Sequence, residues 1–162
     1  MDQVEIDFRI KQQIKVIQII AIALMMGVLT FGAIAFQLGQ EQQPPETPMM
    51  SYFAVGFGIQ MLVLHFVVPM LISKNQFKRL ARQTGDIREG LIGIHRVKTI
   101  VAFALLEGAA FFSLVSYIAE GHMMALGTAI SMVFFMSVAF PGRSRVLNWI
   151  ESNAEAIQQQ RD

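Results

Sequence analysis

Four long stretches of the chain are apolar and almost free of charge. They cover residues 16–40, 47–73, 99–119 and 121–142. Each is long enough for the roughly 20 helical residues that cross a bilayer's hydrocarbon core of about 30 Å. We therefore predict an all-α polytopic membrane protein with four transmembrane helices, at about residues 15–38, 50–73, 97–119 and 123–141, joined by a loop at 74–96 and followed by a tail at 142–162.

The overall composition agrees with this class. Hydrophobic residues make up 54% of the 162 residues and charged residues only 15%, a balance typical of a polytopic membrane protein forming one domain. The chain has no cysteine. This excludes disulfide bonds, a thiol nucleophile and a thiolate metal site.

The basic residues predict the orientation. All thirteen Lys and Arg residues precede the first stretch, separate the second from the third, or follow the fourth. By the positive-inside rule, both termini and the loop at 74–96 lie in the cytoplasm, and we expect a bacterial plasma membrane. The basic loop lies beside the bilayer, so we expect it to contact anionic lipids and not nucleic acid.

The polar connections contain helix-breaking residues. Thr84-Gly85 interrupts the loop, and Asp86 is a predicted N-cap for a helix that restarts there. The tail has an apolar face typical of an amphipathic helix, with Trp149 as an interfacial anchor. The alternative is a solvated tail in which Trp149 only anchors the preceding helix. The apolar face comprises Val146, Leu147, Ile150, Ala154 and Ile157.

The two halves of the chain resemble each other. The first apolar stretch aligns with the third and the second with the fourth, which predicts two parallel-repeated helical hairpins related by an axis along the membrane normal. Each stretch also carries small residues four positions apart. Such residues let membrane helices approach closely, because lipid provides no hydrophobic drive for helix association. We expect close helix packing at Gly27, Gly58, Gly108 and Ala129.

Glu107 is the one formal charge inside the four stretches. An ionisable residue at this depth is costly and is a functional-site hypothesis by default. At about 1.5 Å per residue, Glu107 lies about 12 Å and His65 about 10 Å from the cytoplasmic helix ends. We predict an ion or proton site at Glu107 with His65 as its partner. In the structural alternative, Glu107 only hydrogen-bonds a neighbouring helix, through Gln18, Thr30, Gln60 or Ser131.

Short motifs on two of the stretches resemble another membrane family. Ala81-Arg82-Gln83 lies in the polar loop, Gly56-Phe57-Gly58 in the second stretch, and 106–112 (Leu-Glu-Gly-Ala-Ala-Phe-Phe) in the third. Together they resemble the proteolipid subunit c of rotary F- and V-type ATPases, over about a third of the chain. The resemblance implies a helical hairpin with an ion-binding carboxylate at Glu107. The chain also resembles small bacterial four-helix membrane proteins, which implies no activity.

No catalytic motif is recognisable in the sequence. It has no glycine-rich phosphate loop, no His pair at metal-ligand spacing and no nucleophile–base set. We therefore expect no metal, no cofactor and no enzyme activity. The leading hypothesis is a proton- or cation-handling membrane protein that forms a homo-oligomer or joins a membrane complex. A structural four-helix protein and a small membrane enzyme are the alternatives.

Overall fold

Helices account for nearly all of the chain that a computed structural model describes, residues 3–80 and 87–159. In these ranges there are five helices and no strand. This confirms the predicted all-α class for the described residues. The helices are α1 (Gln3–Gln40), α2 (Met49–Leu80), α3 (Ile87–Glu120), α4 (Met123–Val138) and α5 (Arg143–Gln159).

Three of these helices, α1, α2 and α3, are each long and apolar enough to cross a membrane. Helices α4 and α5 meet that test only as a pair, and they are bent by 62° at the short break between them. The sequence predicted four helices of membrane-spanning length, and the structure has three, or four if the bent pair is one span.

The helices extend well beyond the apolar stretches. Helix α1 begins at Gln3 instead of near residue 15, and α2 continues to Leu80. Helix α3 begins at Ile87, so much of the predicted loop at 74–96 is helical. The predicted break at Thr84-Gly85, the N-cap at Asp86 and the segment 81–83 lie outside the described residues.

Helix α3 is the centre of the bundle and contacts all four other helices. Its buried positions include Ala102, Ala109, Ala110, Ser113 and Ser116. These small side chains let the surrounding helices approach its backbone closely. The serine hydroxyls are satisfied locally, because each donates to the carbonyl oxygen four residues earlier in the helix.

Large apolar side chains face outward from the bundle. Ile19 of α1, Phe53 of α2 and Phe134 of α4 each expose about two thirds of their surface, at 65%, 65% and 63%. A water-soluble protein rarely exposes contiguous apolar patches of this kind. The outward faces therefore suit the hydrocarbon of a bilayer, as the length and hydropathy of the helices do.

A second core lies at one end of the bundle, which we call the basic end. The N-terminal part of α1, the C-terminal end of α2, the start of α3 and α5 meet there. The apolar face of α5 packs against these helices and is therefore covered by protein. The tail is thus not fully solvated, and this face of α5 does not lie on a membrane. The buried residues are Ile10, Ile14, Ile17, Leu80, Leu91, Ile92, Ile94, Val146, Ile150 and Ile157.

At the opposite end, Gly121 makes the tight turn between α3 and α4. It has φ of 63°, in the left-handed region that glycine adopts without a Cβ penalty, and its N–H donates to the Tyr117 carbonyl at 2.7 Å. His122 then caps α4, since its ring Nδ1 accepts from the Met124 N–H. A ring nitrogen thus satisfies one of the free N–H groups of the first helical turn.

The small residues expected to mediate packing have different environments. Ala129 and Gly58 are buried, and a Cβ added to Gly58 would lie 2.7 Å from Thr128 Cγ2. At Gly27 an added Cβ would make ordinary contacts, the nearest at 3.9 Å. Gly108 is exposed with nothing within 4 Å of an added Cβ, so it makes no close helix contact, contrary to expectation.

Gly56 and Gly58, two positions apart on α2, provide a matched test of this packing. We expect Gly58→Leu to destabilise the fold by about 1–3 kcal/mol, because the added volume must displace Thr128. Gly56→Leu should change stability by less than about 0.5 kcal/mol, since Gly56 is exposed with open space around it. Unfolding in detergent, followed by circular dichroism, measures both. Equal effects would contradict the packing of α2 on α4.

Candidate functional site

Glu107 lies on the side of α3 that faces α1. A Cβ added to Gly27 of α1 would lie 3.9 Å from Glu107 Oε1 and 3.9 Å from the Phe111 ring. Because Gly27 has no side chain, there is space beside the Glu107 carboxyl group. Phe111 packs in turn against Phe31 of α1, with ring centroids 5.4 Å apart. The carboxyl group is thus partly buried on the α1 side of α3, beside Gly27.

Within the described ranges, Glu107 makes no hydrogen bond and no ion pair. Of the polar side chains considered as its partners, Gln18 donates to the Pro141 carbonyl at 3.1 Å. Ser131 donates to the Gly127 carbonyl of its own helix at 2.8 Å. Thr30 and Gln60 are exposed. The intramolecular hydrogen bond that the structural alternative requires is therefore not formed with any of them.

His65 is directed to a different part of α3. It is buried, and its Nδ1 lies 3.0 Å from the carbonyl oxygen of Ala102. No hydrogen bond or ion pair joins His65 to Glu107 among the described residues. The structure therefore does not bring the two residues together as the expected pair: His65 belongs to the interface of α2 with α3, and Glu107 to that of α1 with α3.

Pro69 lies one turn after His65 within α2. A proline has no N–H, so the His65 carbonyl loses the donor that normally bonds it four residues later. Ser73 lies a further turn along, and its hydroxyl donates to the Pro69 carbonyl at 2.8 Å. His65, Pro69 and Ser73 all line one cavity, so this weakened stretch of helix borders open space.

This cavity has a volume of about 600 Å³ and lies between α2, α3 and the α4–α5 break. Pro141 of the break and Trp149 of α5 close one side. We call it the basic cavity, because Lys and Arg side chains line it together with two imidazoles. Its polar lining comprises His65, Ser73, Lys74, His95, Lys98, Thr99 and Arg145.

Trp149 organises the wall of the basic cavity. The Lys98 Nζ lies 5.0 Å from the centre of the Trp149 ring, within the range of a cation–π interaction. His95 packs against the same indole at 5.0 Å and Phe77 stacks on it at 5.9 Å, between ring centroids. Trp149 was expected only as an interfacial anchor. The structure adds contacts of its ring with these three side chains.

Arg145 closes the α4–α5 break. Its guanidinium donates to the Val138 carbonyl at 3.0 Å and to the Phe140 carbonyl at 3.5 Å. The last carbonyls of a helix have no partner within it and carry partial negative charge, so a cation there is favourable. Arg145 thus stabilises the bend that brings α5 against the basic cavity.

Glu120 has a structural role that the sequence did not indicate. Its carboxylate accepts the backbone N–H groups of Met50 and Ser51, each at 2.8 Å, and the Ser51 hydroxyl at 2.7 Å. These groups belong to the first turn of α2, where N–H groups are free and an anion is favoured. The last residue of α3 therefore caps α2. The only local indication of this cap in the sequence was Ser51, the third residue of α2.

No group of three or more His, Cys, Asp or Glu side chains within the described ranges is arranged to hold a metal ion. Comparisons with family models, curated proteins and solved structures found no match to this chain. The resemblance to proteolipid subunit c therefore stays a prediction.

The cap made by Glu120 can be tested by substitution. We expect Glu120→Ala to lower the thermal unfolding midpoint in detergent, because two N–H groups of α2 and the Ser51 hydroxyl lose their acceptor. Glu46→Ala, in the exposed connection before α2, is the control and should leave the midpoint unchanged. Ser51→Ala should cost less in the Glu120→Ala background than in the wild type. Strictly additive effects would contradict a shared contact.

Proposed function

We propose that this protein is a non-enzymatic membrane protein that handles a proton or a cation at Glu107. The observation that carries the proposal is the state of that carboxyl group. It lies in the apolar part of α3, it is partly accessible, and it is without a hydrogen-bond or ion-pair partner among the described residues. An ionisable group kept in such an environment costs free energy, which favours a functional role over a structural one.

A proton is the simplest occupant of this site. A cation held inside a protein normally requires several oxygen ligands, and Gly27, which lies beside Glu107 Oε1, offers no side-chain oxygen. A proton needs only the carboxyl group itself. We therefore propose reversible protonation of Glu107 as the elementary event, and direct binding of a cation as the alternative to be distinguished by experiment.

The proposal includes four spans with both termini in the cytoplasm. Helices α4 and α5 form the fourth span as a bent pair, in which α4 crosses most of the bilayer and α5 turns back onto the basic end. The described Lys and Arg residues support this orientation, since all lie on the parts of α1, α2, α3 and α5 near the basic end. The connection 41–48 contains none.

Cysteine labelling in intact cells tests the orientation. A cysteine replacing Gln43 should react with a membrane-impermeant maleimide, because the connection before α2 would face the outside. A cysteine replacing Ser144 at the start of α5 should react only after the membrane is permeabilised. Both positions are exposed, so accessibility within the protein is matched. The reverse pattern would contradict the proposed topology.

Substitution of Glu107 tests the proton-handling function. Wild-type protein in liposomes with an internal pH-sensitive dye should carry protons when a potassium diffusion potential is applied. We expect Glu107→Gln to abolish this flux without loss of fold, because the amide keeps the shape and cannot be protonated in the relevant range. Glu46→Gln is the matched control and should retain full flux, since that acid lies in the exposed connection.

A carboxyl-modifying carbodiimide distinguishes a proton from a bound cation at Glu107. It should add to Glu107 of the wild type, as read by intact-protein mass spectrometry, and more slowly at high pH where the carboxylic acid is depleted. Protection by sodium or potassium at constant pH would instead indicate a bound cation. Wild-type liposomes without flux, together with weakened helix association in Glu107→Leu by about 1–2 kcal/mol, would overturn the proposal and leave the structural alternative.

A further inference from the structure

The basic cavity opens sideways, onto the outward face of α2. Phe66 and Met70 line it and are also 63% and 71% exposed. Its deeper wall is formed by Ala102 and Phe103 of α3, which are buried. An apolar chain lying along the outside of α2 would therefore be continuous with the interior of the cavity. That opening is on the face that we propose to be in contact with lipid.

The polar part of the cavity carries positive charge that its own lining does not neutralise. Lys74 is exposed and Lys98 half-buried, and Arg145 lies on the far side. Among the described residues that line the cavity there is no Asp or Glu. Cations brought together without acidic partners repel one another, so an anion that enters between them is favoured.

His95 provides a second, independent indication. It is more than nine-tenths buried and lines the cavity, and its Nδ1 has no hydrogen-bond partner among the described residues. A buried polar atom without a partner is uncommon and costs free energy, so it needs an explanation. The Nδ1 has almost no accessible surface, so a ligand oxygen at this wall supplies the missing partner only if the neighbouring side chains shift.

We propose that the basic cavity binds an anionic glycerophospholipid. Its phosphate lies between Lys74 and Lys98, on the side of the cavity that His95 lines, and one acyl chain follows Phe66 and Met70 along α2. Three features select this chemistry over a soluble anion: the opening is lateral, its rim is apolar, and the cations lie where the apolar stretch of α3 begins. Basic pockets between transmembrane helices on the cytoplasmic side are known to suit acidic lipid headgroups.

This inference concerns a site separate from Glu107 and does not rest on proton handling. Glu107 does not line the cavity, and its carboxyl group is directed to α1. Loss of proton flux in a Glu107 variant and loss of lipid binding in a cavity variant are therefore distinguishable outcomes. We expect Glu107→Gln to bind the lipid as the wild type does.

The single tryptophan of the chain, Trp149, is a built-in probe, since it lines the cavity. The full-length protein is placed in nanodiscs of phosphatidylcholine, and increasing fractions of phosphatidylglycerol with brominated acyl chains are added. Bromine quenches indole fluorescence on contact. We expect half-maximal quenching at a severalfold lower fraction for brominated phosphatidylglycerol than for brominated phosphatidylcholine. Equal quenching by the two lipids would overturn the proposal.

Variants identify the groups responsible. Lys74→Gln and Lys98→Gln should each raise the half-maximal fraction about fivefold, as expected for one basic group near an anionic lipid. Lys98→Arg should restore binding. Arg143→Gln is the control, since Arg143 is exposed at the same end and does not line the cavity. Each variant is normalised to its own unquenched fluorescence, and its fold is checked by circular dichroism. If Arg143→Gln raised the half-maximal fraction as much as Lys98→Gln, the lipid would be attracted by surface charge in general, and the proposed site would be wrong.

Soluble glycerol phosphate tests the source of the phosphate. We expect millimolar glycerol phosphate to leave the quenching by brominated phosphatidylglycerol unchanged, because the acyl chain along α2 contributes much of the binding. Recovery of fluorescence on its addition would indicate a site for a water-soluble phosphate and would overturn the assignment to a lipid.

Discussion

Close approach of helices to the backbone of α3 is the constraint on which the rest of this structure depends. In a bilayer, helices gain nothing from burying apolar surface against each other instead of against lipid, so association relies on packing and hydrogen bonds. The buried alanines and serines of α3, such as Ala109, Ala110 and Ser113, provide the packing. Because α3 contacts all the other helices, its buried positions take part in four helix interfaces of the bundle.

The lengths of the apolar stretches were sufficient to predict several helices of membrane-spanning length. Hydropathy is a local property, and a long uncharged run has few alternatives to a helix in lipid. The helical extensions at the basic end were less apparent. Residues such as Ile10, Leu91 and Ile157 lie among charged neighbours, and they are buried because distant helices meet there. Their burial depends on tertiary contacts that no short window of sequence contains.

The candidate sites likewise combine a feature that the local sequence predicts with contacts that it does not predict. Glu107 stands out because a single charge interrupts an apolar run, and that signal needs no partner. Its pairing with His65 could not be read from depth alone. Two residues at similar depth on neighbouring helices meet only if both side chains point to the same interface. That depends on the rotation of each helix about its axis, which the sequence does not give accurately. The spacing of Gly108 likewise identifies a surface that permits close approach, without identifying which helix uses it.

Two polar regions therefore lie on different sides of one helix. The carboxyl group of Glu107 is directed to α1, whereas the imidazole of His65 and the basic cavity lie toward α2 and the α4–α5 break. Rotation of α3 about its axis by one residue would disturb both. The packing that fixes this rotation is thus shared by the two regions, although no hydrogen bond or ion pair joins them among the described residues.

The cap on α2 has a consequence for the order in which the protein matures. Ser51 emerges from the ribosome long before Glu120, which lies 69 positions later. Until then, the first turn of α2 must use water or lipid headgroups to satisfy its N–H groups. The first hairpin is therefore not complete while α3 is still being synthesised. Its final arrangement is reached only after α3 has formed and brought the carboxylate to α2, so the second half of the chain completes the folding of the first.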